Sequence, residues 1–164
     1  MPLVLVSFSS LYQAQEATMR NVIAALSALP VRALVTTGPT LDPAQFEVPA
    51  HVQIVRSAPH GQVLKDAAVM VTHAGHGSVL RPLMEGVPLL CLPMGRDQND
   101  NAMRAAYRGA AITLAPDASP ERIAEALTRL LDDPAYRQAA RALGESIAQD
   151  AAARSAAQAL EALV

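Results

Sequence analysis

Val71-Thr72-His73-Ala74-Gly75-His76-Gly77-Ser78 reads as the end of a buried strand, a glycine-loosened turn and the opening of a helix. A histidine stands where the strand lets go, and a serine where the helix begins. Such a junction gathers unpaired backbone N–H groups, the positive end of a helix dipole, an imidazole and a hydroxyl at one point. That arrangement suits a phosphate or diphosphate. Short apolar runs alternate with helical patterns on both sides of this stretch, the signature of a parallel sheet with crossover helices.

Upstream, Leu3 to Val6 form a first strand, continuous in its apolar character as expected when both sheet faces are covered. Met19, Val22, Ile23, Leu26 and Leu29 recur at helical spacing before Pro30 ends the helix. Arg32 to Thr36 form a second strand, Thr40 to Pro49 a loop, Val52 to Val55 a third strand and Val69 to Thr72 a fourth. Downstream, a helix runs from about Ser78 to Glu85, where Gly86 can take the left-handed closing conformation. Pro82 lacks an N–H and belongs near a helix start, which predicts an irregular or 3₁₀ opening turn.

Leu89 to Leu92 are a fifth strand, Asp97 to Arg108 a helix and Ala111 to Leu114 a sixth strand. Ser119-Pro120 is a cap with proline at the first helical position, and Ile123, Leu127 and Leu130 mark that helix's buried face. Asp133-Pro134 repeats the start signal for an Ala-rich helical tail, with a break expected near Gly144. The whole chain, 1–164, reads as one Rossmann-like α/β domain: an open parallel sheet of about six strands with helices on both faces. Such sheets bind ligands outside the carboxyl ends of the strands, where the strand order reverses. The turns Ser7 to Tyr12, His73 to Ser78 and Pro93 to Asp97 all open on that edge.

At 164 residues the domain should bury about 70% of its unfolded surface. Hydrophobic residues make up 51% and charged residues 17%, which excludes disorder. Aromatics are 3% with no Trp, so the core is aliphatic and base stacking on exposed rings is a poor expectation. A net charge of −2 without any run of Lys or Arg argues against nucleic acid as a partner. The single Cys91 lies in an apolar strand and reads as a buried, inert thiol. No leader and no apolar run of spanning length is visible, so the expected place is the cytoplasm, with no membrane span.

His73 either donates to a phosphate oxygen or is satisfied by a nearby carbonyl. His76 offers its backbone N–H, or is a solvated loop residue. Gly75 and Gly77 either permit positive φ or let an anion reach the backbone. Ser78 either caps its helix or binds phosphate, and the second use needs the helix to begin one residue earlier. Asp97 with Gln98 can accept from and donate to sugar hydroxyls, or Asp97 caps its helix. The dinucleotide fingerprint fits less well, since Leu80 holds its third glycine place and the turn follows the fourth strand, not the first. No Cys/His cluster and no pair of carboxylates one residue apart suggests a metal, so neither metal nor other cofactor is expected.

Taken together, the chain resembles the C-terminal, donor-binding half of a family 1 GT-B glycosyltransferase, of the bacterial macrolide and antibiotic type related to UDP-glucuronosyl- and UDP-glucosyltransferases. The residues that carry the likeness are Leu3 to Ser10, Ala58-Pro59-His60 with Leu64, Thr72 to Ser78, Gly86-Val87-Pro88, Pro93, Asp97-Gln98 and Asn101. The resemblance implies that His73, Gly75, His76, Gly77, Ser78 and Ser10 hold a diphosphate. It implies that Ala58 and His60 lie along the base, and that Asp97 and Gln98 bind the donor sugar. Three places depart from the family pattern: Ser57 replaces a stacking Trp, Arg81 a ribose-binding Glu, and Ser9 a glycine.

The implied reaction moves a sugar from UDP or TDP to a hydroxyl of a hydrophobic small molecule, with inversion. The resemblance puts no catalytic residue in this chain. The base belongs to an N-terminal acceptor domain that is absent here, so the chain is either an excised donor domain or a separate subunit, and inactive alone. A non-catalytic sugar-nucleotide-binding module and an NAD-dependent oxidoreductase domain are the alternatives.

Overall fold

The computed structural model describes residues 1–9, 15–153 and 161. Its elements run β1 (Leu3–Ser7), α1 (Glu16–Ser27), β2 (Arg32–Thr36), β3 (Val52–Val55), α2 (His60–Asp66) and β4 (Ala67–Thr72). They continue with α3 (His76–Met84), β5 (Leu89–Cys91), α4 (Gln98–Tyr107), β6 (Ala111–Thr113), α5 (Pro120–Asp132) and α6 (Pro134–Ala153). The six expected strands are all present within two residues of their expected bounds. They form one parallel sheet in the order β3-β2-β1-β4-β5-β6.

Alternation along the central strands builds two cores. Val4, Val6, Val69, Val71, Leu90 and Leu92 face one side, where Met19, Val22 and Leu26 of α1 pack with Ile123 and Leu127 of α5. Leu5, Met70, Leu89 and Cys91 face the other, against Leu64 of α2, Val79 and Leu83 of α3, Ala102 of α4 and Ala140 of α6. The sheet is therefore covered on both faces, which is why its strands read as continuous apolar runs. Cys91 is fully buried, and burial pushes its thiol up to about 12, so it carries no thiolate chemistry.

Helix ends follow their sequence signals. Ser119 accepts from the Arg122 N–H at 3.4 Å. Gly86 takes φ +66° while its N–H and that of Val87 close on the carbonyls of Leu83 and Pro82 at 2.9 and 2.8 Å. One helix was not expected, and two expectations need correction. Residues His60–Asp66 are helical, a short element with Gly61 in it and too few apolar residues to show a period. Pro82 sits near the end of α3 rather than its start. Helix α6 runs unbroken through Gly144, whose missing side chain lets the backbone of Leu83 and Met84 in α3 approach.

Candidate functional site

Strand order reverses between β1 and β4, which pair with Ser7 opposite Thr72 at their carboxyl ends. Chain leaving β1 returns to β2 on one side, and chain leaving β4 goes on to β5 on the other, so a crevice opens between the two exits. A cavity of about 400 Å³ lies there. Its wall comes from Ser7, Phe8 and Ser9 after β1, His60 and Leu64 of α2, the turn from His73 to Ser78, and Arg81 with Pro82 of α3.

The turn after β4 is held in an uncommon shape. Ala74 has φ +64°, a left-handed value that costs an alanine about 1–2 kcal/mol. Its peptide groups are pinned from both sides. The Ala74 N–H donates to Thr72 Oγ1 at 3.2 Å, and its carbonyl accepts from Asn101 Nδ2 at 3.2 Å. The positive φ expected at Gly75 or Gly77 thus falls on Ala74, while Gly75 is extended at φ −60°, ψ 151° and begins α3 as its N-cap. A Cβ on Gly75 would meet His73 Nε2, whereas a Cβ on Gly77 would meet nothing within 4 Å.

Because α3 starts at His76, Ser78 lies in the first turn and does not cap. Its N–H donates to the Gly75 carbonyl at 2.8 Å, a 3₁₀-type closure, and Val79 N–H shares that carbonyl at 3.1 Å. The condition for a phosphate-facing Ser78 hydroxyl is met with one residue to spare. The amides of His76 and Gly77 precede any intrahelical acceptor and make no backbone hydrogen bond among the described residues, at the positive end of the helix.

His73 is 9% exposed and lines the cavity. Its Nδ1 is a buried polar atom with no hydrogen-bond partner among the described residues. A native protein rarely leaves such an atom unsatisfied unless a ligand or water completes it. Burial pushes the pKa of His73 down, and the nearby Asp97 carboxylate offsets this in part. His60 Nε2 lies 3.2 Å from Thr36 Oγ1, whose own proton goes to the Val6 carbonyl at 3.2 Å. Nε2 of His60 must then be the donor, leaving Nδ1 an acceptor on a neutral ring. Burial, and then the Arg81 guanidinium, hold the His60 pKa down.

Asp97 is exposed at the N-terminus of α4 and makes no capping bond. Its Oδ2 accepts from Asn101 Nδ2 at 2.9 Å, so Asn101 links the Asp97 carboxylate to the Ala74 carbonyl. Gln98 is 2% exposed, and its Oε1 accepts from the Met94 N–H at 2.7 Å. Gln98 therefore fixes the loop beneath Asp97, with its amide oxygen turned inward. Ala58 is half-buried and outside the cavity wall. Ser10 lies outside the described residues. The structure thus brings together His73, Gly75, His76, Gly77, Ser78 and His60, and sets Asp97 beside them. Arg81 and Ser7 also line the cavity without having been expected among the site residues; the spacing of Arg81 from Ser78 and the place of Ser7 at a strand end are the signals that point to them. No cluster of three potential metal-ligating side chains occurs among the described residues.

Comparison with known proteins bears on this arrangement directly. Residues 20–163 match the family described as erythromycin biosynthesis protein CIII-like, C-terminal domain. The chain belongs to this family. The family is that of the family 1 glycosyltransferases, and the sheet is the Rossmann-like one of GT-B enzymes. The chain is 34% identical over 152 residues to a 4'-demethylrebeccamycin synthase of Lentzea aerocolonigenes, covering 92% of this chain and 36% of that protein.

Among solved structures, the calicheamicin glycosyltransferase CalG4 superposes with a TM-score of 0.83 at 30% identity, over 90% of this chain and 38% of that one. The spinosyn rhamnosyltransferase SpnG, complexed with thymidine diphosphate, gives 0.82 at 26% identity, over 90% of this chain and 42% of that one. The chain therefore spans well under half the length of these relatives. Membership agrees with the glycosyltransferase expectation and not with the nicotinamide alternative. None of the helices, among the described residues, is long and apolar enough to cross a membrane.

Proposed function

We propose that the chain binds the diphosphate of a nucleoside diphosphate sugar and forms the donor half of an inverting glycosyltransferase. The observation that carries this reading is the buried His73 ring, unpartnered at Nδ1 among the described residues, whose Nε2 lies against Gly75 where α3 begins. An imidazole, two amides and the Ser78 hydroxyl converge on the crevice where sheets of this type take phosphates. SpnG, similar over most of this chain, is a protein that has been seen with thymidine diphosphate.

In the proposed reaction a hydroxyl oxygen of a hydrophobic small molecule attacks the anomeric carbon of the sugar from the face opposite the diphosphate. The C–O bond to the diphosphate breaks, and its electron pair leaves with the phosphate oxygen. The hydroxyl proton passes to a base on an acceptor domain or separate subunit, because this chain supplies none in the proposal. The departing charge is met by the α3 N-terminus and His73, with no metal. Asp97 receives hydroxyls of the donor sugar, held by Asn101 and by the loop that Gln98 fixes, and His60 lies toward the base. Residues 1–164 act as the donor-binding domain, alone inactive, in the cytoplasm.

The test is calorimetric titration of the chain with UDP and TDP. His73→Ala should lower affinity by about tenfold or more, as expected for loss of a hydrogen bond to a charged group, with the thermal midpoint little changed. A His73→Ala protein that binds both nucleotides normally would remove the assignment.

A further inference from the structure

The cavity wall has one feature that diphosphate binding by a helix N-terminus does not require. Arg81 lines it from α3, three residues after Ser78 and so on the same helical face, one turn deeper along the helix. Its guanidinium is exposed and has no hydrogen bond or ion pair among the described residues. Among the described residues no carboxylate lines this cavity, and Arg81 is the one Lys or Arg that does. Its field crosses the cavity, since it opposes protonation of His60 on the facing helix α2. A permanent positive charge with no ion-pair partner among the described residues therefore lines the same cavity as His73.

The chemistry of the group limits what it can recognise. A pair of ribose hydroxyls is best bound by a carboxylate, which accepts from both at once. Guanidinium presents five donors in a rigid fork and accepts nothing, and its planar pair of N–H groups matches the oxygens of a phosphate. We propose that Arg81 is a specificity-determining residue that reads the charge of the donor's diphosphate, so that the site selects nucleoside diphosphates by their phosphates and is indifferent to the 2′-hydroxyl of the ribose. The proposal rests on the diphosphate-binding reading above and names the ligand feature that the site discriminates. The ligand class is then any nucleoside diphosphate, ribo or deoxyribo, in preference to the monophosphate.

The experiment is titration of the full chain with UDP, 2′-deoxyuridine diphosphate and UMP at two salt concentrations, repeated for Arg81→Gln, Arg81→Lys and Arg81→Glu. Wild type should bind UDP and its 2′-deoxy analogue within about threefold of each other, and UMP at least about tenfold more weakly. Arg81→Gln should lose about tenfold for both diphosphates but much less for UMP, and its affinity should depend less on salt. Arg81→Lys should keep part of the preference, and Arg81→Glu should bind diphosphates worst of all. Thermal melts monitor folding of each variant, and Arg81 is exposed, so the fold should persist.

The proposal is overturned if Arg81→Gln keeps wild-type affinity and salt dependence, or if wild type prefers UDP to its 2′-deoxy analogue by more than tenfold. Wild type that binds no nucleoside diphosphate sinks this proposal together with the reading beneath it. Wild type that binds, with His73→Ala unaffected and Arg81→Gln weakened, sinks only the role of His73.

Discussion

A Cβ added to Gly75 would stand 2.6 Å from Nε2 of His73. The imidazole can lie against the helix start only because residue 75 has no side chain. Gly75→Ala should therefore push the ring aside, at about 1–3 kcal/mol of stability for the overpacked site, and should weaken nucleoside diphosphate binding as much as His73→Ala does. Gly77 provides the control, since a Cβ there meets open space. Gly77→Ala should leave the unfolding midpoint unchanged or raised, by less than about 1 kcal/mol. Denaturant unfolding of both variants beside titration with TDP checks the pair. Equal stabilities and equal affinities would show that the close approach to His73 does not matter.

The histidines of the site predict the sign of a pH effect. His73 is held below the usual imidazole pKa by burial, against partial help from Asp97, and His60 by burial and then Arg81. Unfolded, both should titrate near about 6.5. The unfolded chain then binds more protons than the folded one below that pH. Stability from these groups is fully present above about 7 and is lost as pH falls through 6.5 toward 5. A bound diphosphate places negative charge beside His73 and raises its pKa, so binding near pH 6.5 should take up protons. Titrations in buffers of different ionisation heat measure that uptake, which should shrink in His73→Asn. Stability that is flat from pH 7.5 to 5 would contradict neutral, desolvated rings.

Much of this site could be read before folding, and the reason is local. A strand end, its turn and the following helix are contiguous, so residues 73–78 arrive together by chain connectivity alone. His60 is different. It could be named only through the family resemblance, because it reaches the cavity on a seven-residue helix that no helical period in His60–Asp66 announces. The position of positive φ was equally hidden. Glycine is the usual host, but Gly75 must remain extended to clear His73 and start α3, so the left-handed residue becomes Ala74. Asn101 could be named from the resemblance, yet its bridge from Asp97 to the Ala74 carbonyl exists only once α4 has packed beside the turn. Contacts between elements are what the linear pattern does not carry.

That bridge carries its own expectation. Asn101→Ala removes the donor to a carbonyl on a strained residue and also frees the Asp97 carboxylate. The cost should be about 1–2 kcal/mol in denaturant unfolding, with a further loss of affinity for a nucleoside diphosphate sugar relative to the bare diphosphate. Ala74→Gly should change stability by less than about 1 kcal/mol, because relief of the left-handed strain is offset by the freer unfolded chain. Ala74→Val should be far worse, since a β-branched residue resists φ +64° and the site is fully buried. If Ala74→Val were neutral, the turn would have to hold its shape by other means.

Gly144 sets two physical effects against each other. By helix propensity alone, Gly144→Ala in α6 should stabilise by about 1 kcal/mol. However, the new Cβ would collide with the carbonyl of Leu83 and crowd Met84 Cα at 3.1 Å. Backbone cannot rotate away as a side chain can, and the Leu83 carbonyl already accepts from the Gly86 N–H in the closing turn of α3. Overpacking of this kind costs about 1–3 kcal/mol, so packing should win and the variant should unfold at lower denaturant. The effect should reach the site as well. Pushing α6 off α3 shifts the helix whose first turn carries Gly77 and Ser78, so affinity for TDP should fall although residue 144 lines no part of the cavity. A Gly144→Ala protein with a raised midpoint and full affinity would mean that α3 and α6 do not meet as closely as their backbones indicate.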